Sequence, residues 1–152
     1  MQKTTLWIIV KNWKILLAMK KRWFWEWYWN WAWWKFEEGE NGEECMIREL
    51  EEETWLVAKK ENLENFWVLH FYFDEKPEWN QDVALFIIND FKNNPVETEE
   101  MRPKWFDLDK IPYSEMWESD KIRMPRVLRW EKVEYNFFLR LDWSVRKVAE
   151  IK

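Results

Sequence analysis

Three glutamates, Glu49, Glu52 and Glu53, stand at i, i+3 and i+4 in the run R-E-L-E-E-E that begins at Arg48. On an α-helix that spacing stacks three carboxylates on one face. Converging anions repel each other unless a cation lies among them. Hard oxygen ligands select Mg²⁺, with Mn²⁺ as the alternative. Such an ion neutralises a pyrophosphate and helps generate a hydroxide nucleophile. Arg48 lies four residues before Glu52 and is spaced to hold that carboxylate in place. The competing reading is a solvated acidic face laced with weak ion pairs, and the sequence on either side has to separate the two.

Those carboxylates need a helix, and the sequence supplies its ends. Asn41 or Gly42 begins it and Thr54 closes it, with residue 55 as the left-handed residue that stops the helix if it is glycine. Around it, Thr4 to Val10 and Ile15 to Lys20 read as a hairpin joined at Asn12-Trp13. Asn65 to Asp74, Val83 to Asn89 and Lys104 to Leu108 read as strands. A short helical piece near Met116 is followed by a helix from Asp120 to Arg129, whose N-cap would be Asp120. Lys132 to Leu141 and Ser144 to Glu150 form a second hairpin. The mixture of strands and helices gives an α/β or α+β class, with helices packed on a mixed sheet. Residues 1–152 are expected to form one domain.

The composition carries an anomaly. The chain has 16 Trp and 2 Gly in 152 residues, whereas globular domains carry roughly 7% Gly. Seven of the Trp fall between Trp23 and Trp34, and others sit at turns: Asn12-Trp13-Lys14, Arg129-Trp130-Glu131 and Asp142-Trp143-Ser144. Hairpin turns favour Asn-Gly and Asp-Gly because glycine accepts positive φ. We read Trp13, Trp23, Trp25, Trp27, Trp31, Trp33, Trp34, Trp55, Trp67, Trp130 and Trp143 as positions of glycine in the native protein. One systematic cause suffices: a UGA codon read as glycine in some bacterial lineages and as tryptophan under another table. Trp29, Trp105 and Trp117 read as genuine, while Trp7 and Trp79 fit either reading. On this view Lys21 to Trp34 is a glycine-rich loop that lets backbone approach phosphate oxygens. Taken literally, its period-two tryptophans would line one face of a strand.

With glycine at 34 and 55, the segment matches G-x5-E-x7-R-E-U-x-E-E-x-G-U, where U is aliphatic. It runs W34-KFEEG-E40-NGEECMI-R48-E49-L50-E51-E52-E53-T54-W55-L56. This is the Nudix box, and every charged position matches. The chain therefore resembles the Nudix hydrolases, which implies a mixed β-sheet sandwiched between helices and metal held by Glu49, Glu52 and Glu53. Further runs resemble the animal-type oxidised purine nucleoside triphosphatases: Leu17 to Arg22 with Phe24, Trp29-Asn30, Pro95-Val96-Glu97, Glu100-Met101-Arg102-Pro103, Trp105-Phe106 and Met116-Trp117. That resemblance implies Mg²⁺-dependent hydrolysis of 8-oxo-dGTP and 2-hydroxy-dATP to monophosphate and pyrophosphate. It places base contacts on Asn30, Trp117 and Asp120, pocket walls on Phe24 and Phe71, and a pocket lysine on Lys20. Glu100 is implied as an extra metal ligand or base. Ser119 departs from the family, which has two successive acids at 119 and 120, and puts dual purine specificity in question.

The remaining observations bound the function. A net charge of -5 disfavours sequence-independent binding to long nucleic acid. No stretch of about 18 apolar residues lacks charge, so no membrane span is expected. The N-terminus lacks an apolar signal region, and a cytoplasmic, monomeric protein is expected. One cysteine, Cys45, excludes an internal disulfide. His70, the only histidine, lies in an apolar strand and is not expected to act as a base. Two alternatives stay open: Nudix chemistry on another nucleotide, and a non-catalytic module stacking single-stranded nucleic acid on its tryptophans.

Overall fold

The computed structural model describes residues 2–20, 29–30, 33–99, 101–132 and 134–151, without the side chains of 20, 29, 30, 33–35, 66 and 67. The strands are β1 Gln2–Lys11, β2 Lys14–Lys20, β3 Trp29–Asn30, β4 Trp33–Lys35, β5 Leu63–Phe73, β6 Gln81–Ile88, β7 Met101–Asp107, β8 Glu134–Leu139 and β9 Val145–Ile151. The helices are α1 Gly42–Thr54 and α2 Glu118–Val127. All strands join one sheet ordered β3-β2-β1-β6-β5-β8-β9, with β4 beside β1 and β7 beside β2. The sheet is mixed: β1 runs parallel to β6 and β5 parallel to β8.

Alternation along the strands sends apolar side chains to both faces, so the sheet needs cover on each. On one face Leu6, Ile8, Leu17, Phe71, Leu85 and Ile87 pack against Met124 and Val127 of α2. On the other, Trp7, Ile9, Leu16, Phe86 and Ile88 pack against Met46 and Leu50 of α1. Leu50 is fully buried, and Leu50→Ala would cost about 2–5 kcal/mol. This is the helix-flanked mixed sheet expected from the sequence.

The β1–β2 hairpin splays. Its strands pair only at Val10↔Ile15 and Lys11↔Lys14, next to the turn. Farther along, β1 takes β4 as its neighbour and β2 takes β3 and β7. β3 thus lies on one arm of the V and β4 on the other, and from β4 the backbone leads to α1. The continuous period-two strand of the literal reading is not formed there: residues 29–30 and 33–35 pair with different strands. Trp23, Trp25, Trp27 and Trp31 lie outside the described residues.

Four of the eleven suspect tryptophans have left-handed backbones: Trp13 at φ 62°, Trp55 at 68°, Trp130 at 61° and Trp143 at 68°. Each sits where the sequence demanded a turn or a helix stop. Asn12 and Trp13 both have positive φ, the geometry of a two-residue primed hairpin turn. Trp67 follows a register shift in β5, another site at which glycine is common. Trp7 and Trp79, which fitted either reading, do not share the left-handed backbone. Trp7 is fully buried in the core, although its indole N–H has no hydrogen-bond partner. Trp79 meets Phe73 edge-on at 5.6 Å. No described helix is long and apolar enough to cross a membrane.

Candidate active site

The carboxylate helix forms where the spacing put it. Asn41 caps it, its side-chain oxygen accepting the Glu44 N–H at 2.8 Å, and Glu43 and Glu44 in the first turn suit the positive end of the helix dipole. Cys45, Met46 and Leu50 are buried against the sheet. Trp55 ends the helix, its N–H bonding the Glu51 carbonyl at 2.9 Å. The geometry is that of a glycine stop. Cys45 lies beside Thr5, and burial pushes its thiol up to about 11, so it is structural rather than nucleophilic.

Arg48 organises the polar face. Its Nε donates to Glu40 Oε1 at 2.8 Å and its Nη2 to Glu40 Oε2 at 3.0 Å. Nη1 touches Glu49 and lies 3.4 Å from both Glu52 Oε2 and Glu37 Oε1. The Arg48–Glu52 pair expected from the sequence is present, but the stronger grip is on Glu40. That grip holds the Glu40 carboxyl down to about 2 and raises the guanidinium in turn. Glu40 was not among the candidate side chains read from the sequence. The signal was there, because it is the isolated fixed glutamate of the motif, eight residues before Arg48.

Glu49 behaves differently. Burial raises its pKa, outweighing the pull of Arg48. Glu53 is also buried, at 9% exposed, whereas Glu52 is open to solvent. Among the described residues no three acidic, His or Cys side chains are already gathered around one point. Yet Glu49 and Glu52 converge on the same guanidinium nitrogen, which marks one place where positive charge is shared. A half-buried carboxylate, an exposed one and a buried one along one helix offer hard oxygen donors, and these fit a divalent cation. Glu100 lies outside the described residues.

Of the sequence-predicted pocket residues, Phe71, Trp117, Ser119 and Asp120 lie on the opposite face, around the start of α2. Asp120 and Ser119 are buried, at 1% and 3% exposed. The helix begins at Glu118, two residues earlier than expected, so Asp120 is not its N-cap but lies inside its first turn. There it contacts Arg123, and burial raises its pKa despite that partner. The Arg123 guanidinium lies 5.7 Å from the Phe71 ring centre, and Phe71 stacks on Phe137 at 5.5 Å. Half-buried Trp117 lies against Trp143, ring centres 5.8 Å apart. Asn30 pairs with Ala18 across β2, and Lys20, at the end of β2, pairs with Met101. Their side chains and all of Phe24 lie outside the described residues.

The two groups thus line the two faces of one sheet, and the splayed hairpin runs between them. The family model for the NUDIX domain matches residues 2–128. The chain belongs to the NUDIX family. It is 36% identical over 149 residues to an oxidized purine nucleoside triphosphate hydrolase of Mus musculus, covering 95% of this chain and 94% of that one. A relative of the same name from Danio rerio is 38% identical over 125 residues, 82% of this chain and 78% of that one. A MutT protein from Bacillus halodurans superposes with a TM-score of 0.86 at 24% identity, over 99% of this chain and 97% of its own. A MutT NUDIX hydrolase from Burkholderia pseudomallei gives 0.71 at 22% identity, over 83% of this chain and 97% of its own. These likenesses fix the Nudix fold, and family membership makes the protein an enzyme, a Nudix hydrolase.

Proposed function

We propose that this Nudix hydrolase cleaves oxidised purine nucleoside triphosphates, of the 8-oxo-dGTP and 2-hydroxy-dATP type, to the monophosphate and pyrophosphate. Its role would be to cleanse the nucleotide pool. The observation that carries the reading is Arg48, locked by Glu40 and turned toward Glu49 and Glu52 on α1, in a chain similar over nearly its whole length to hydrolases of that name. Glu49, Glu52 and Glu53, with Glu100, would hold Mg²⁺ or Mn²⁺. When bound, the ion supplies charge neutralisation at the phosphates and an acidified water. Arg48 fixes the rotamers of its neighbours, so little reorganisation remains at the moment of reaction. Trp117, Phe71 and Phe24 would sandwich the base, Asn30 and Asp120 would read its edge, and Lys20 would meet the phosphates.

Buried Ser119 favours one variation. Where the relatives' pattern has a carboxyl, this chain offers a hydroxyl, which suits a different purine edge, such as an unmodified or methylated one. Pyrophosphate release from a nucleotide panel, with and without EDTA, tests both readings on the tryptophan-containing chain and on a form with glycine at the eleven positions named above. Metal-dependent release is expected from the glycine form, fastest with oxidised purines. Absence of any metal-dependent release from that form would overturn the enzymatic reading. A Ser119→Asp variant that leaves base preference unchanged would remove the specificity argument.

A further inference from the structure

The β1–β2 turn and the loop after β6 stand on either side of a cleft of about 350 Å³, on the α1 side of the sheet. Lys11 and Lys14 line it from the turn, Asn93 and Asn94 from the loop, and Phe91 and Trp105 form its apolar wall. The two rings are stacked, with centres 6.4 Å apart and 25° between their planes. The Lys11 ammonium lies 5.1 Å from the Phe91 ring centre and meets no carboxylate among the described residues. Lys14 has a loose, half-exposed contact with Asp107 at 3.8 Å. Both walls are fastened. The Asn93 amide donates to the carbonyl of residue 55 at 3.2 Å, the Val96 N–H to the Thr54 carbonyl at 3.0 Å and the Lys92 N–H to the Val57 carbonyl at 2.8 Å. Across the cleft the Leu108 N–H donates to the carbonyl of residue 13 at 3.0 Å. Because positions 13 and 55 contribute backbone carbonyls, these bonds are the same with glycine there. Neither the acids and arginine of α1 nor Trp117 and Asp120 line this cleft.

We propose that this cleft is a second nucleotide site, which takes a nucleoside monophosphate away from the catalytic helix. Charge selects the monophosphate. A phosphate monoester carries about -1.5 to -2 near neutral pH, which two ammonium groups match. Drawing Lys14 from Asp107 to the phosphate costs little, because so exposed a pair is weak. A triphosphate brings more negative charge than two lysines balance, and it belongs where a divalent cation is held. The indole and phenyl rings offer a flat surface on which a base lies. Beside them the Asn94 carboxamide carries both donors and an acceptor for the edge of that base. The fastened loop means that little ordering is left for the ligand to impose.

The test is calorimetric and NMR titration of the full chain in EDTA with guanosine monophosphate, guanosine and inorganic phosphate, at about pH 7.5 so that the monoester is a dianion. A Trp117→Ala form separates this site from the base pocket beside α2. Guanosine monophosphate is expected to bind the parent and Trp117→Ala alike, to shift the Asn93 and Asn94 side-chain amide signals, and to weaken as salt is added. The pair Lys11→Gln with Lys14→Gln is expected to weaken binding roughly tenfold or more. Asn94→Ala, which keeps the charge, is expected to lower the preference for the monophosphate over inorganic phosphate. Binding that disappears in Trp117→Ala, or that is unchanged in both the lysine pair and Asn94→Ala, would overturn the proposal. Inorganic phosphate or guanosine binding as tightly as the monophosphate would overturn the assignment of the cleft to a nucleotide.

Discussion

Arg48 and Glu40 meet in a two-pronged pair across the turn that leads into α1, at 2.8 and 3.0 Å. Both side chains are mostly withdrawn from water, 23% and 10% exposed, so screening by solvent is limited. A planar guanidinium satisfies both carboxylate oxygens at once, which a lysine does not do. The Glu37 N–H also donates to Glu40 Oε2 at 2.9 Å, so the pair pins the loop as well as the helix. Arg48→Lys is expected to lower kcat/KM at least roughly tenfold and cost about 1–3 kcal/mol of stability. A variant with parental kinetics would show that Arg48 positions nothing.

The same pair sets an acid limit. Glu40 is held at about 2, below its ordinary 4.5. Its carboxylate is therefore bound more tightly in the folded than in the unfolded chain. The stabilisation is present above pH 4.5 and is lost as pH falls toward 2. Thermal melts from pH 6 down to 2.5 are expected to fall steeply for the parent and less steeply for Glu40→Gln. Parallel slopes would contradict the assignment.

Glu49→Gln, Glu52→Gln and Glu53→Gln keep shape while removing one charge each. If the three hold a divalent ion, each variant raises the Mg²⁺ concentration for half-maximal rate by roughly tenfold or more. Glu53 is the most buried of the three, so its substitution changes the surface least and reports most directly on the ion. Three unchanged Mg²⁺ titrations would return these residues to an ordinary acidic surface.

The sequence revealed α1 to within about a residue at each end because cap, period and stop agreed: Asn41 or Gly42 at one end, a buried stripe of Met46 and Leu50, and residue 55 at the other. The seven longer strands were legible to within two or three residues, since alternation marks a strand's body better than its ends. The short β3 and β4 instead fall at the end of the stretch Lys21 to Trp34 that reads as a loop, their pairing being set by β2 and β1 rather than by local pattern. Three further things were not legible. The splay of the β1–β2 hairpin depends on partners from distant parts of the chain. Asp120's place inside α2 was obscured because a capping residue and a first-turn acid look alike in sequence. The grip of Arg48 on Glu40 was missed because i,i+4 logic looks only along one helix and Glu40 lies before it. The glycine argument, by contrast, was wholly local, and Trp13, Trp55, Trp130 and Trp143 all prove to need positive φ.

That conformation has a measurable cost. A residue with a Cβ in the left-handed region loses roughly 1–2 kcal/mol, and Trp55 and Trp130, both more than half exposed, recover little of it by burial. Trp55→Gly and Trp130→Gly are each expected to raise Tm by about 2–8 °C, given about 2–4 °C per kcal/mol for a chain of this size. Since the sites are separate, the gains should add. Unchanged or lower Tm in both would show that tryptophan is accommodated there without strain.

His70 lies on β5, and its ring bridges two neighbouring strands: Nδ1 is 2.5 Å from Asp82 Oδ1 on β6 and Nε2 is 2.6 Å from Glu134 Oε1 on β8. Burial disfavours its charge, but the hydrogen bonds and charges of Glu134 and Asp82 outweigh that, and its pKa rises above the ordinary 6.5. A raised pKa means that the imidazolium is stabilised by the fold. The contribution is complete below about pH 6.5 and is lost as pH climbs through the higher folded value. Both carboxylates are partly exposed, which limits the effect to about 1 kcal/mol. Stability is expected to decline from pH 6 to 9, with the decline absent in His70→Asn. If the variant declines as steeply as the parent, the bridging histidine is not the titrating group, and the clamp between β6 and β8 is neutral throughout.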